Sequence, residues 1–381
     1  MNHSFPTIGI LGGGQLGRMS ALAAIRMGLN IKTLSPSVSG PVAGLGQAVI
    51  GDWNDPEVML DFVTGCTVVT VESEWAPAEV AEQVIKNAKI GIPVYPTSST
   101  LLKIRHKGVQ RRLLTSAGIP GAEFRLCKTV EQAFSAADEL GYPVMFKRYQ
   151  GSYDGYGNAT VQNESDVPKA WHSLAESDGL LVEAFVPFVR ELAVMVARRP
   201  SGESCVYPVV HIEQRNHRCH SVVVPGPSEP ELEEKTRVMA LRCAETVKAT
   251  GMLGVEFFET TDGEILVNEL APRPHNSGHY TIEACTTSQF ENHIRSILDW
   301  PLGDPSLRVP AAAMVNILGT RTGTATGESL ENAAQVSDAG LHIYGKEEVR
   351  PNRKMGHVTV CAETPAEALS EANLCVDRIH L

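Results

Sequence analysis

The sequence has no long apolar run, no clustered cysteines, no surplus of positive charge and no repetitive tract. Each absence removes a class of protein. No apolar stretch approaches the ~18 residues that a spanning helix needs, so no membrane span is expected. The chain enters a strand directly at Thr7–Leu11, without a charged segment leading into a long apolar one. No secretory leader is therefore expected, and the expected location is cytoplasmic. The eight cysteines (Cys66, Cys127, Cys205, Cys219, Cys243, Cys285, Cys361 and Cys375) are scattered and include no Cys-x-x-Cys pair. That usage excludes a disulfide framework or zinc knuckle and fits reduced thiols. A net charge of −11 argues against nucleic acid as the main partner. It leaves room for a local basic pocket that takes phosphates.

What is present is a globular composition, 43% hydrophobic and 20% charged over 381 residues. This length exceeds one ordinary core and suits two or three packed units. Strand and helix patterns alternate through residues 1–100. Strands are expected at Thr7–Leu11, Asn30–Leu34, Ala48–Ile50 and Thr67–Glu72. Helices are expected at Gln15–Met27, Pro56–Val63 and Pro77–Lys86. Alternation of this kind implies an α/β unit, a doubly wound parallel sheet covered on both faces. A second unit spans 101–305. It opens with a basic helix at Thr100–Ala117, ended by Gly118 and Pro120. Mainly strands follow from Pro143 to Gly226, then helices at Pro230–Thr250 and Thr281–Leu298. Between those helices lies a hairpin, Gly254–Thr260 and Glu264–Leu270, turned at Thr261-Asp262-Gly263. After Pro301-Leu302-Gly303-Asp304-Pro305, a small α+β unit of strands and one helix occupies 306–381.

Gly12-Gly13-Gly14-Gln15-Leu16-Gly17 fits G-x-G-x-x-G between a strand and a helix. Such glycines bring backbone close to an anion at a helix N-terminus. A dinucleotide site also wants an acidic residue ~20 positions on. The second strand ends instead in Leu34-Ser35-Pro36, and the next acid is Asp52. A phosphate or ribose-phosphate site is the leading reading, ahead of a tight turn with no ligand and, last, a dinucleotide site.

The hairpin carries Glu256 and Glu269, which adjacent strands can set side by side on one face. Facing carboxylates repel, and Mg2+ would relieve them; two solvent-facing acids on an edge hairpin is the plainer alternative. The stretch after Glu269, Ala271-Pro272-Arg273-Pro274-His275-Asn276-Ser277-Gly278-His279, is suited to an anion beside a metal rather than to a core. Lys147 closes the apolar strand Val144-Met145-Phe146, where it can neutralise a nucleotide phosphate. The glycines of Gln150–Gly157 suit a lid over phosphates. Glu183, Val186 and Glu191 offer an adenine edge and ribose acceptors. His211, His217, Cys219 and His220 lack a tetrahedral ligand pattern and read as an exposed hairpin. Lys103, Arg105, Lys107, Arg111 and Arg112 read mainly as a solvated helix face.

In this order, basic helix, strand-lysine, glycine-rich loop, Glu-x-x-Val, second Glu and paired Glu, the chain resembles the ATP-grasp superfamily. Within it, the chain is similar to the N5-carboxyaminoimidazole ribonucleotide synthases nearly end to end. The specific pieces are Gly12–Met19, Tyr153-Asp154-Gly155, Asn268–His279, Thr287–Glu291 and Arg353-Lys354-Met355-Gly356-His357. The resemblance implies an ATP-grasp fold: a pre-ATP-grasp domain at 1–100, an ATP-grasp domain at 101–305 with its lid at about 120–186, and a C-terminal domain at 306–381. It implies ATP-dependent carboxylation of 5-aminoimidazole ribonucleotide (AIR) by bicarbonate through carboxyphosphate, in purine biosynthesis. ATP and Mg2+ are the implied cofactors and a homodimer the implied assembly, with no nucleic-acid or membrane partner.

The same resemblance gives Glu256 and Glu269 to Mg2+, and Lys107, Lys147, Glu183, Val186, Glu191 and Asn268 to ATP. Arg273, His275 and Asn276 would cradle carboxyphosphate, while Glu74, Tyr153 and Asp154 would face the AIR amine and ring. Gln15 and Leu16 backbone groups, with Lys346, Arg353 and Lys354, would grip its phosphate. The chain departs from the family pattern at Tyr156, at His106-Lys107 and at Val71-Glu72-Ser73-Glu74-Trp75-Ala76. Two other readings compete: a ligase using another acyl phosphate, such as formyl phosphate on glycinamide ribonucleotide, and a nucleotide-binding homologue without turnover.

Overall fold

Alternate side chains of the first strand, β1 (Thr7–Leu11), serve two different cores, and this sets the architecture of the amino-terminal unit. Ile8 and Ile10 pack with Ala21, Ala24 and Ile294 on one face, and Leu11 with Met59, Phe62 and Val84 on the other. A strand buried on both sides belongs in a parallel sheet sandwiched by helices. The computed structural model describes residues 5–151, 157–215, 218–335 and 339–381. Strands β2 (Asn30–Ser35), β3 (Gln47–Ile50), β4 (Val68–Val71) and β5 (Val94–Tyr95) complete a five-stranded sheet in the order β3-β2-β1-β4-β5. All its pairings are parallel. The strand order reverses between β1 and β4, which opens a crevice at their carboxyl ends.

A four-stranded antiparallel sheet follows, β6 (Phe124–Cys127), β7 (Val144–Arg148), β8 (Asn158–Val161) and β9 (Leu180–Ala184), in the order β6-β9-β7-β8. Helices Val130–Leu140 and Val167–Leu174 share its core with Phe146 and Val182. The large sheet is built from β10 (Phe188–Arg198), β11 (Ser204–Val206), β12 (Val210–Arg215), β13 (Arg218–Val224), β14 (Gly251–Thr260) and β15 (Ile265–Ala271). The carboxyl-terminal strands β16 (Ala311–Leu318), β18 (Gly340–Ile343) and β20 (Lys354–Ala362) extend it. Its order is β15-β14-β10-β12-β13-β16-β20-β18, with β11 beside β10. Two short strands, β17 (Gly323–Thr324) and β19 (Glu348–Val349), pair separately. The carboxyl-terminal unit thus has no large sheet of its own, since the β13–β16 pairing fuses it to its predecessor. Among the described residues, no helix is long and apolar enough to cross a membrane.

Several expected elements divide in the structure. The basic helix is two, Ser98–Arg105 and Lys107–Ser116, because His106 turns extended at φ −96 and ψ 103. The His106 ring caps the second helix by accepting from Val109 N at 3.3 Å. The break makes Lys107 the first residue of a helix, where its N–H donates to the Tyr149 carbonyl at 2.9 Å. The helix expected over Thr281–Leu298 is also two, Thr281–Ala284 and Gln289–Ile297. Ser288 restarts it by accepting from Glu291 N, the usual task of a serine at a helix start. Within the run of strands expected from Pro143 to Gly226, β11 and β12 are separate, divided by residues 207–209. The carboxyl-terminal segment has two helices rather than one, Gly327–Ala334 and Pro365–Val376.

Candidate active site

The crevice between β1 and β4 is where the glycine-rich turn meets the end of β4, and the turn is already occupied from within. Glu72 accepts hydrogen bonds from Gly14 N at 2.7 Å and Gly17 N at 2.9 Å. An anion at a helix N-terminus is what that backbone favours, and here a side chain supplies it. Gly12 has φ +121, and a Cβ there would lie 2.2 Å from the Glu72 side chain, so only glycine fits. Burial raises the Glu72 carboxyl, while the two N–H groups pull it down. The Gly14 and Gly17 amides therefore serve Glu72. Gln15 faces the other way: its Oε1 accepts from Lys346 Nζ at 2.7 Å, and that ammonium also donates to the Lys354 carbonyl at 2.5 Å. Leu16 packs beside Met19, Phe290 and Tyr344.

Two residues beyond Glu72, Glu74 crosses to the large sheet. Arg273 Nε and Nη2 donate to its two oxygens at 2.7 and 3.3 Å. Burial pushes the Glu74 carboxyl up, but Arg273 outweighs it and holds it below its ordinary value. Glu74 and Trp75 line a narrow cleft with Lys107, Tyr149, Glu269 and Leu270.

Opposite that cleft the hairpin places Glu256 and Glu269 as register partners, flush on one face. The register slips by one residue just beyond the pair, so Asn268 is the extra residue of a bulge. Lys107 Nζ sits 2.9 Å from Glu269 Oε1. Burial raises Glu269 but Lys107 more than offsets it, leaving Glu269 low. At Glu256 the balance goes the other way: burial first, then Glu269, outweigh Lys107 and Lys354 and push it up to about 8. His275 Nε2 lies 3.7 Å from Glu256 Oε1, and its Nδ1 is 2.7 Å from Ser277 Oγ. Burial, reinforced by Arg273 and Lys354, lowers His275 to about 3, so its ring is neutral at physiological pH. Gln289 clamps this loop, accepting from His275 N at 2.9 Å and donating to its carbonyl at 2.8 Å.

The four-stranded sheet contributes Lys147 from β7 and Glu183 from β9. Lys147 Nζ is 2.6 Å from Glu183 Oε2, and Arg111 Nε donates to Glu183 Oε1. The Arg111 fork also donates to the carbonyls of Val267 at 3.0 Å and Asn268 at 2.8 Å. Arg111, expected on a solvated face, is 4% exposed. It lies one helical turn after Lys107, so both reach the same side. Burial works against the Glu183 charge, but Arg111 and Lys147 bring its carboxyl down to about 2.

The overlap with known proteins is extensive. Family models match residues 5–105 as a ribonucleotide synthetase preATP-grasp domain, 112–290 as an ATP-grasp domain and 312–371 as a phosphoribosylaminoimidazole carboxylase C-terminal domain. The N5-carboxyaminoimidazole ribonucleotide synthase of Mycobacterium tuberculosis is 38% identical over 97% of this chain and 86% of its own length. The chain belongs to the N5-carboxyaminoimidazole ribonucleotide synthase family. The phosphoribosylaminoimidazole carboxylase of Schizosaccharomyces pombe is 38% identical over 97% of this chain and 67% of its own. Among solved structures, a synthetase of this family in complex with ADP superposes with TM-score 0.89 at 38% identity, covering 98% of this chain and 97% of that one. The Aspergillus clavatus synthase bound to ADP and 5-aminoimidazole ribonucleotide gives 0.86 at 32% identity, covering 98% and 99%.

Within this synthase fold, the residues picked from sequence fall into three groups. Glu74, Lys107, Glu256, Glu269, Arg273 and His275 converge on the cleft. Gln15, Lys346 and Lys354 meet beside it, and Arg353 donates to the Glu348 carbonyl at 2.6 Å. Lys147 and Glu183 pair on the four-stranded sheet, Val186 lies in the β9–β10 connection and Glu191 accepts from Gln214. Burial raises Glu191 to about 7, with Gln214 opposing. Asn276 is the exception. It is buried, and its amide exchanges two hydrogen bonds with Asn316, at 3.0 and 2.8 Å. Tyr153, Asp154, Tyr156 and His217 lie outside the described residues. Arg111, Glu72 and Gln289 join the site without having been selected. Signals existed: Arg111 is spaced four from Lys107, Gln289 lies within Thr287–Glu291 and Glu72 within Val71–Ala76.

Proposed function

We propose that this chain carboxylates the amine of 5-aminoimidazole ribonucleotide with bicarbonate, using ATP, and releases N5-carboxyaminoimidazole ribonucleotide, ADP and phosphate. The observation that carries the proposal is one cleft lined by Glu74, Lys107 and Glu269, with Arg273 paired to Glu74 and Glu256 set beside Glu269, on a chain of this family. Bicarbonate is a poor electrophile at neutral pH. Its oxygen attacks the γ-phosphorus, ADP leaves, and the resulting carboxyphosphate has a leaving group. The AIR amine nitrogen then attacks the carboxyl carbon, phosphate departs, and the amine loses a proton. Such catalysis is mainly positioning and charge neutralisation.

Glu256 and Glu269 fit Mg2+: two carboxylates on one face, one of them raised to about 8 by burial and then by the other's charge. Glu256 and Glu269 would hold the ion, which would supply positive charge to offset that of the phosphates. The remaining steps belong to side chains. Lys107 and Lys147 balance the triphosphate. Arg273, held by Glu74, presents its guanidinium to the anionic carboxyphosphate, and neutral His275 offers a hydrogen bond beside it without adding charge. Asn276, turned to Asn316, positions this loop rather than touching substrate. Lys346 and Lys354 lie where the phosphate of AIR would be gripped, next to Gln15. Val186, in the β9–β10 connection, would flank adenine, and Glu191, on β10, would take the ribose hydroxyls. A homodimer is part of the proposal, and light scattering on the purified chain tests it.

The deciding experiment measures phosphate release with AIR and bicarbonate each omitted in turn, and with formate in place of bicarbonate. Release requiring both AIR and bicarbonate, with carboxylated product, is the expected result. Release driven by formate and not by bicarbonate overturns the substrate assignment, and ATP binding without turnover overturns the enzymatic one.

A further inference from the structure

Behind the Arg273–His279 loop lies a cluster that the proposed reaction does not use. His342 on β18 and His357 on β20 are direct register partners, so both rings stand on one face of the sheet. Glu283, from the short helix after the loop, reaches the same face, and its Oε1 lies 2.7 Å from His342 Nε2. One donor atom from each of the three residues lies within 4.8 Å of the others. His357 is fully buried, yet its Nε2 makes no hydrogen bond, and neither does the buried Glu283 Oε2. Orphaned polar atoms of this kind are rare enough in folded proteins to need a cause.

We propose that Glu283, His342 and His357 form a binding site for one divalent transition-metal ion of the Zn2+ class. The donor chemistry selects the ion: two imidazoles and one carboxylate favour Zn2+ or Co2+ over Mg2+, which takes oxygen ligands. His357 is prepared for the role. Its Nδ1 is 2.9 Å from the Tyr344 hydroxyl, which fixes the ring and leaves Nε2 as the nitrogen without a bond, as an outer partner does for a metal-bound histidine. Burial first, then His279 and His342, keep that ring unprotonated and its nitrogen available. His342 and Glu283 are partly exposed, which gives the ion a way in and keeps one position open.

One rearrangement is required. The His342 and His357 rings are stacked, 4.5 Å apart and 14° from parallel, and parallel rings cannot aim at one ion. His342, the exposed member, turns out of the stack and exchanges its bond to Glu283 for the metal. The ion then ties Glu283, just past the anion-binding loop, to a strand whose residue three positions before His357 is Lys354. The proposal does not depend on the carboxylation assignment.

The test uses the full chain treated with EDTA and titrated with Zn2+ alone. The expected result is one ion per chain, undisplaced by excess Mg2+ and retained in Glu256→Gln. Co2+ should bind with visible d–d absorption and no thiolate charge-transfer band. His342→Ala should weaken Zn2+ by more than the ~10–100-fold typical of losing an outer partner, and Tyr344→Phe by about that amount. Glu283→Gln is the second ligand variant, and circular dichroism confirms the fold of each. No Zn2+ binding overturns the proposal, as does binding unchanged in both His342→Ala and Glu283→Gln. Loss of binding in Glu256→Gln instead, or a thiolate band, places the ion elsewhere and also overturns it.

Discussion

Arg111→Met removes a guanidinium while roughly keeping its volume, and the structure sets the cost. Glu183, 2% exposed, keeps Lys147 but loses its other cation, and the carbonyls of Val267 and Asn268 lose their donor. Stripping one partner from a buried ion pair costs ~3–5 kcal/mol. The surviving Lys147 pulls the figure to the low end. The carboxyl sets an upper bound on the charge part: it drops from an ordinary 4.5 to about 2, worth roughly 3.5 kcal/mol at ~1.4 per unit for Arg111 and Lys147 together. A loss of about 3 kcal/mol is therefore expected near pH 7. Because the folded carboxyl is depressed, its contribution is present above the unfolded value and lost as pH falls from 4.5 toward about 2. The gap between wild type and Arg111→Met should narrow across that window. Urea unfolding midpoints at pH 7 and pH 3, compared at a common slope, read both effects. Arg111→Lys keeps the charge but not the fork and should lose less. The KM for ATP should rise in Arg111→Met, because Lys147 and the β15 backbone lose a common anchor. A midpoint shift worth under ~1 kcal/mol, with unchanged KM, would refute the reasoning.

Three further outcomes are expected. Glu269→Gln should cut AIR-dependent phosphate release at least ~100-fold with unchanged circular dichroism, since a charge aimed at the phosphates is lost; normal turnover removes the metal assignment. In wild type without divalent ions, Glu256 has a raised carboxyl, so its contribution to stability declines as pH rises from 4.5 through about 8. Glu256→Gln should then melt higher than wild type at pH 8, by at least ~1 kcal/mol in stability, and by less at pH 5; equal melting at both contradicts the raised carboxyl. Glu72→Gln keeps one acceptor for two N–H groups and should cost ~1–3 kcal/mol by urea unfolding; no loss means the Gly14 and Gly17 amides do not need the carboxylate.

Period and turn chemistry made the amino-terminal sheet legible. Strands buried on both faces read as apolar runs, and each was found within two residues of its expected bounds except β5, whose two residues are too short to show a period. The facing of Glu256 and Glu269 was legible because a hairpin with a Thr-Asp-Gly turn leaves few registers. The bulge at Asn268 was not, since it depends on Arg111 reaching in from another helix to take that residue's carbonyl. The same cause hid the break at His106: a helix-period pattern runs through it, and only the Tyr149 carbonyl just past β7 draws the chain out of helix. Charge counting failed for Arg111 because burial of a cation is decided by partners distant in sequence, here Glu183, Val267 and Asn268. Asn276 was misread for a related reason. A polar residue in a site-like loop can equally satisfy a buried amide such as Asn316.

The segment Glu72–Glu74 acts as a spacer of fixed length. At one end a carboxylate is pinned to the start of the Gln15–Arg26 helix, and two residues later another is pinned to Arg273 on the far sheet. Three residues span at most ~10 Å even when extended, and over Glu72–Glu74 the chain bends into a turn, so the two anchors lie close together. Any movement that brings the amino-terminal sheet toward the hairpin must carry Glu74 with it and so shift the guanidinium beside the cleft. Whatever is gripped between Gln15 and Lys354 is thereby mechanically registered against whatever lies over Glu269. The anion that most glycine-rich turns borrow from a ligand is here built in, and the turn is used as a hinge pin.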